Sequence, residues 1–436
     1  MSRHKKPFLK AIVANEQGEF FDLNGYAAVG MAGRHLIPLL EEETIPMPFG
    51  GEHLFLPDRR PIVCNTETGE FEVLTENPYA PGEPVFPVAA FNAPGHMIYL
   101  VSAYAEEPHA MTLPLFSFGA VGWLKGGSRV AAMRVDRERR QDVRLMPRDK
   151  IVKGVFRVRQ IMPLNRLATH LETCALTYGC PAAKNFFLGR YEAPLPTSMH
   201  CNARCWGCLS LQRDTDIPST QERIDFTPSP HEIAEVAIYH MRRTREAVVS
   251  FGQGCEGEPL LAAEVIEPAI RLMRKATQQG TIHMNTNASL PSVLEGLFEA
   301  GLDSVRVSMN SVRESCYGTY FRPKGYSFDE VIDSVDVAGR KGKFVSINYL
   351  NLPGFTDAKP EVSALLSFLG GHPVHMIQWR NLNFDPVRYW QIMSHNSGEP
   401  ELIGMGRLLE QIHEMFPKLK FGYFNPPKER FKVNLS

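Results

Sequence analysis

Three thiols within eight residues, Cys201-Asn-Ala-Arg-Cys205-Trp-Gly-Cys208, carry the most specific chemistry in this chain. Thiolates spaced C-x3-C-x2-C on one short loop can hold three corners of an iron–sulfur cube and leave its fourth iron without a protein ligand. Electron-transfer clusters are mostly capped by four residues, so an open iron marks a site for chemistry. Zinc competes for such a triplet, although structural zinc usually takes four donors and no second C-x2-C knuckle is present. Disulfide pairing would need a secreted chain. Simple burial fits poorly with Asn202, Arg204 and Gly207 as neighbours.

The elements that must position this loop follow from composition and periodicity. At 436 residues, 22% charged and 44% hydrophobic, the chain is long enough for two or three domains with buried cores. A formal net charge of -1 gives no general attraction to nucleic acid or anionic membrane. The longest apolar candidate, from Val85 to Tyr104, is broken by Asn92, Pro94, Gly95 and His96, so no membrane partner is expected. Arg3, His4, Lys5 and Lys6 precede Pro7, but Phe8 to Ala14 contains Lys10 and runs into Asn15 and Glu16, which reads as a first strand rather than a signal segment. Eight cysteines without a paired framework suit a reducing cytoplasm.

The character of the sequence changes near residue 190. Residues 1–160 read as a mostly β domain, with strands expected at Phe8–Ala14, Met97–Ala103, Leu115–Val121 and Val130–Val135. Residues 161–194 form a connector with a helix from about Pro163 to Tyr178. From 195 to 400, strands alternate with helices, beginning with a strand before Cys201. Ser229-Pro230-His231-Glu232 is a capping box with proline at the first helical position. Residues 401–436 add a final helix and strand. Serial βα units imply a parallel sheet with helices outside it.

Further residues fall at strand ends. Val248–Phe251 leads into Gly252-Gln253-Gly254-Cys255-Glu256-Gly257-Glu258-Pro259. Glycines allow close backbone approach to a ligand, and proline opens the next helix. Met284-Asn285-Thr286-Asn287, Val307-Ser308-Met309-Asn310 and Ile347-Asn348-Tyr349-Leu350-Asn351-Leu352-Pro353-Gly354 close the next three strands. Each is equally readable as strand-end capping. With the triplet, and in this order, they resemble the radical SAM superfamily over roughly residues 195–380.

The resemblance implies an α/β fold, a partial (β/α)6 TIM-like barrel. It implies that Cys201, Cys205 and Cys208 bind a [4Fe–4S] cluster whose open iron chelates S-adenosylmethionine. Gly257, Glu258 and Pro259 correspond to the family's GGEP motif beside the methionine amino group, although Glu256 replaces its first glycine. Asn285 and Asn287 match the T-N segment, Ser308 the carboxylate contact and Asn348 the segment beside adenine. Many members carry an aromatic residue just before the third cysteine. Here Gly207 stands there, and Trp206 is the candidate for stacking on the nucleoside. A reductant such as flavodoxin or ferredoxin and a peptide, protein or RNA substrate are the implied partners. A non-catalytic iron–sulfur or zinc protein acting in electron transfer or scaffolding is the alternative.

Other features are less specific. Ten basic residues between Arg134 and Arg159 could meet RNA phosphates, but aromatic residues barely interleave them, which favours a solvated face. Arg380 and Asp385 would point at substrate if they end the last barrel strands. Cys255 is the best placed of the remaining cysteines to face the site, and Cys64, Cys174, Cys180 and Cys316 could ligate a second cluster, serve as hydrogen donors or pack.

Overall fold

The computed structural model of the protein describes residues 7–212, 216–394 and 400–431. The basic residues Arg3 to Lys6 lie outside these. No helix among the described residues is long and apolar enough to cross a membrane.

The fold that positions the cysteine loop is a sheet of seven parallel strands in sequential order. They are β1 (Glu192–Pro194), β2 (Val248–Phe251), β3 (Thr281–Thr286), β4 (Ser304–Met309), β5 (Phe344–Asn351), β6 (Met376–Asn381) and β7 (Lys420–Gly422). Every crossover advances in the same direction, and crossovers of one hand then put all helices on one face. A twisted sheet covered on one face only curls around the other, giving a partial barrel. Its seam, between β7 and β1, is bridged by side chains: Asn425 Nδ2 donates to Glu192 Oε1 at 2.9 Å, and the Tyr191 hydroxyl to the Asn425 carbonyl at 2.5 Å.

Strand alternation shows what the curl encloses. Val305, Val307 and Met309 on β4, Ile347 and Tyr349 on β5, and Ile377 and Trp379 on β6 are fully buried. The helix Phe328–Arg340 packs against β4 and β5. The alternate residues Arg306, Ser308, Asn348, Leu350 and Arg380 keep partial exposure. The apolar set faces the helices and the largely polar set lines the lumen.

Helix starts agree with local chemistry. Both hydrogen bonds of the Ser229–Glu232 capping box form, and a second box at Ser327–Glu330 opens the helix Phe328–Arg340. The serial βα reading holds, with two additional helices, Glu314–Phe321 after β4 and Pro386–Met393 after β6.

The N-terminal region is a twelve-stranded, largely antiparallel sheet. It differs from expectation at several places, among them the Met97–Ala103 strand, which is split into His96–Ile98 and Val101–Ser102. Residues 115–120 are irregular, and the strand runs over Val121–Leu124 instead. The basic stretch contains a helix, Arg148–Ile161, whose Ile151, Val155 and Val158 are buried at helical spacing. Two further helices, Arg166–Leu176 and Pro181–Leu188, lead into β1.

The N-terminal region docks at the carboxyl ends of β5 and β6 through a separate two-stranded ladder, His96–Ile98 with Ala132–Arg134. Asn381 Oδ1 accepts from the Ile98 N–H at 2.9 Å, and Asn351 Nδ2 donates to the Ile98 carbonyl at 2.7 Å. Gly354 lies so close to Gly33 that a Cβ would stand 1.9 Å from the Gly33 nitrogen. The Pro353-Gly354 turn, expected beside adenine, thus contacts the N-terminal sheet. Asp385 is likewise turned from the lumen. It ion-pairs with Arg59 at 3.1 Å in full burial and accepts from the Leu113 N–H at 3.0 Å.

Candidate active site

The cysteine loop follows β1 and is held along both edges. On one side, Gly257 N–H donates to the Ser198 carbonyl at 2.7 Å and Glu258 N–H to the His200 carbonyl at 2.8 Å. A Cβ on Gly257 would stand 1.9 Å from the His200 oxygen, so only glycine fits. Gly257→Ala is expected to lower the iron retained per chain while far-UV circular dichroism stays unchanged; undiminished iron would show that this contact does not position the loop. On the other side, Arg204 N–H donates to the Phe321 carbonyl at 2.9 Å and Trp206 N–H to the Tyr320 carbonyl at 3.2 Å. These are the otherwise unsatisfied carbonyls at a helix C-terminus.

Cys201, Cys205 and Cys208 line one cavity of about 160 Å³. Its charged lining is cationic: Arg204, Arg223, Arg322 and Lys324, with no carboxylate among the described residues. Arg223 Nη2 stands 3.5 Å from Cys208 Sγ. Burial pushes the Cys201 thiol up to about 11 and Cys205 well above the ordinary thiol range. Buried thiols among cations are suited to deprotonation by a bound metal, which supplies the compensating charge. The three donors and their surroundings therefore fit an anionic iron–sulfur cluster.

Residues 195–366 match the family model described as the Radical SAM superfamily. The chain carries a radical SAM domain. Enzymes of this class use a [4Fe–4S] cluster and S-adenosylmethionine, and they require a reductant. Among curated relatives, the GTP 3',8-cyclase of Lactiplantibacillus plantarum is 25% identical over 198 residues, covering 44% of this chain and 54% of its own. The mitochondrial GTP 3',8-cyclase of Arabidopsis thaliana is 24% identical over 241 residues, covering 53% and 55%. The chain thus spans about half the length of these curated relatives. A solved radical SAM methyltransferase from Sphaerobacter thermophilus aligns at 15% identity over 53% of this chain and 66% of its own, with a TM-score of 0.39.

Within the radical SAM domain, several expected ligand contacts prove to be engaged internally. Glu258 is buried and accepts from the Asn287 N–H at 2.7 Å, the Leu260 N–H at 3.1 Å and the Thr286 hydroxyl. Burial raises its carboxyl to about 7 against these donors. Asn287 Nδ2 donates to Asn202 Oδ1 at 2.7 Å, so it holds the cysteine loop. Asn285 spends its amide group on the Phe251 and Gly252 carbonyls, both at 3.0 Å, and its oxygen meets His283 Nε2 at 3.0 Å. Pro259 is buried at the start of the short helix Pro259–Ala262.

Trp206 does not line the cysteine cavity. Its indole N–H donates to the Thr319 carbonyl at 3.1 Å, and Arg322 lies 4.2 Å over its ring. The aromatic beside the third cysteine comes from elsewhere: a Cβ on Gly207 would meet the Tyr320 hydroxyl at 2.5 Å. Gly207 is small because Tyr320 fills that space, a pairing invisible in the sequence motif.

Glu256, the residue that departs from the motif, has a structural role. Its carboxylate accepts four backbone N–H groups: Thr197 at 2.8 Å, Ser198 at 3.0 Å, and Gly252 and Gln253 at 2.7 Å. It joins the stem of the cysteine loop to the turn after β2.

Ser308 and Asn348 do face the lumen, where Asn348 Oδ1 is buried without a hydrogen-bond partner among the described residues. Beside them stand Arg306 and Arg380. Arg306 Nη1 donates to Gln378 Oε1 at 2.7 Å, a bond from β4 to β6 that must cross the concave face over β5. Arg380 lies 3.8 Å over the Tyr423 ring. Neither guanidinium has a carboxylate at ion-pair distance among the described residues, and both Nε atoms are buried without a partner. Burial, reinforced by Arg380, brings Arg306 down to about 9. Two such cations in one lumen are electrostatically costly unless an anion joins them. Strand alternation, Arg306 and Ser308 between Val305, Val307 and Met309, was the sequence signal for them.

Proposed function

We propose that the protein is a radical SAM enzyme whose substrate is a small anionic molecule held inside the barrel. The observation that carries the substrate class is the Arg306–Arg380 pair, which among the described residues has no carboxylate at ion-pair distance, Glu192 acting on Arg306 only at longer range. Cys201, Cys205 and Cys208 would hold the cluster. With S-adenosylmethionine bound, that cluster supplies a 5′-deoxyadenosyl radical for hydrogen abstraction.

The chain's own residues do the positioning. Glu256 and Gly257 fix the stem of the loop, and Asn287 fixes its Asn202. Arg223 and Lys324 balance negative charge around the thiolates. Ser308 and Asn348 offer an alcohol and an amide oxygen on the rung of the sheet between those of Arg306 and Arg380. The N-terminal region docked at the carboxyl ends of β5 and β6 would limit access of water to the lumen, as radical chemistry needs.

RNA is less well supported. Within the basic stretch, Arg140 pairs with Glu138 at 3.0 Å, Arg144 with Asp142 at 2.6 Å, and Arg159 with Glu172. These pairs leave less cationic surface for phosphates. Because the similar GTP 3',8-cyclases act on a purine nucleotide, GTP is the first probe.

The test is anaerobic reconstitution and chemical reduction with S-adenosylmethionine, followed by chromatography for 5′-deoxyadenosine with GTP, other anionic metabolites or neutral nucleosides. Anionic probes are expected to raise product formation. Arg306→Met is expected to reduce that stimulation at least 10-fold while cleavage without probe persists, since one charge-assisted contact contributes about 1.5–3 kcal/mol. Equal stimulation of wild type and Arg306→Met would sink the anionic reading without touching the radical SAM assignment.

A further inference from the structure

A second group of metal-type donors lies behind the cysteine loop. His170 and Cys174 are four residues apart on the helix Arg166–Leu176, so they share one face. Cys255, from the turn after β2, meets them, and the three donor atoms all lie within 4.8 Å of one another. His170 Nε2 stands 3.4 Å from Cys174 Sγ. Both cysteines are buried and His170 is half-buried.

These separations suit one ion. Zinc–sulfur bonds of about 2.3 Å and zinc–nitrogen bonds of about 2.0 Å at the tetrahedral angle put neighbouring donors roughly 3.5–3.8 Å apart. Donors on different irons of a cube would stand further from each other than donors sharing a single ion. The chemistry is also selective: two thiolates and an imidazole favour zinc over hard cations such as magnesium or calcium.

We propose that His170 Nε2 and the thiolates of Cys174 and Cys255 bind a single zinc ion, with water completing its coordination. The ion joins the connector helix to the turn after β2. That turn carries Glu256, the next residue along, whose carboxylate holds the Thr197 and Ser198 amides. A staple at Cys255 therefore supports the stem of the cysteine loop from behind. It also explains why Cys255, despite its place in the glycine turn, faces away from the cysteine cavity. This site stands apart from the radical SAM reading, because none of its donors belongs to the triplet.

The test is metal analysis of the full chain, purified anaerobically and dialysed against equimolar zinc and iron. Wild type is expected to keep about one zinc per chain beside its iron. His170→Gln, a change at a half-buried position that opens no core cavity, and Cys174→Ser should each lose at least nine-tenths of that zinc and keep their iron. Cys205→Ala should show the reverse. Cobalt substitution gives a second readout, thiolate-to-cobalt charge-transfer absorption that disappears in His170→Gln. Wild type without zinc, zinc retained in both His170→Gln and Cys174→Ser, or zinc lost with the iron in Cys205→Ala would each overturn the proposal.

Discussion

Cys205→Ala is expected to yield a colourless protein that produces no 5′-deoxyadenosine. Two thiolates hold a cube at only two corners. The described residues lining the cavity include no carboxylate or further thiol that could step in. Iron should fall from about four per chain to less than one, and cleavage to the level of a blank. Circular dichroism should be unchanged, because the loop is pinned by backbone bonds at Arg204 and Trp206 rather than by the thiol. Cleavage persisting in Cys205→Ala would remove the triplet from the chemistry. An iron-free wild type holding zinc at Cys201, Cys205 and Cys208 would favour the scaffold alternative.

Glu256→Gln should have the second largest effect, on stability. The carboxylate presents two acceptor oxygens, each facing two backbone N–H groups. An amide would turn one of them into a donor and strand two N–H groups in a buried turn. At about 1–3 kcal/mol for each orphaned donor, the loss is about 2–6 kcal/mol. The burial that raises Glu256 to about 7 opposes ionisation, while the four donors favour the charged form; the variant loses the charge and one of the two acceptor oxygens. Thermal unfolding of the apo protein reads this directly. A melting temperature within a degree of wild type would mean that the four bonds do not hold the turn.

The two variants also separate what could be read from sequence from what could not. The barrel was legible because its signals are local. The strand Val248–Phe251 and the helix opening at Pro230 stand where expected, the second set by the Ser229–Glu232 capping box. The helix Arg148–Ile161 was hidden because its charged residues outnumber the three aliphatics that make its buried stripe. In the site, the triplet was legible because metal ligation fixes residue type and spacing together. Asn285 and Asn287 were assigned to a ligand because polar strand ends often meet one. Instead they satisfy the Gly252 carbonyl and Asn202, partners brought near only by folding. Cys255 misled for the same reason: its neighbours, Cys174 and His170, lie more than eighty residues away. Tyr320 in place of an aromatic at 207 could not be read from any local pattern.

The alternation along β4, β5 and β6 has a consequence for how such a protein can diversify. Val305, Val307, Ile347, Ile377 and Trp379 secure the sheet to its helices, whereas Arg306, Ser308, Asn348 and Arg380 take no part in that packing. On the proposed anionic substrate, scaffold and selectivity would thus be inherited on opposite sides of the same strands. Substrate preference can drift by single replacements at alternate positions, leaving the architecture that generates the reactive species untouched.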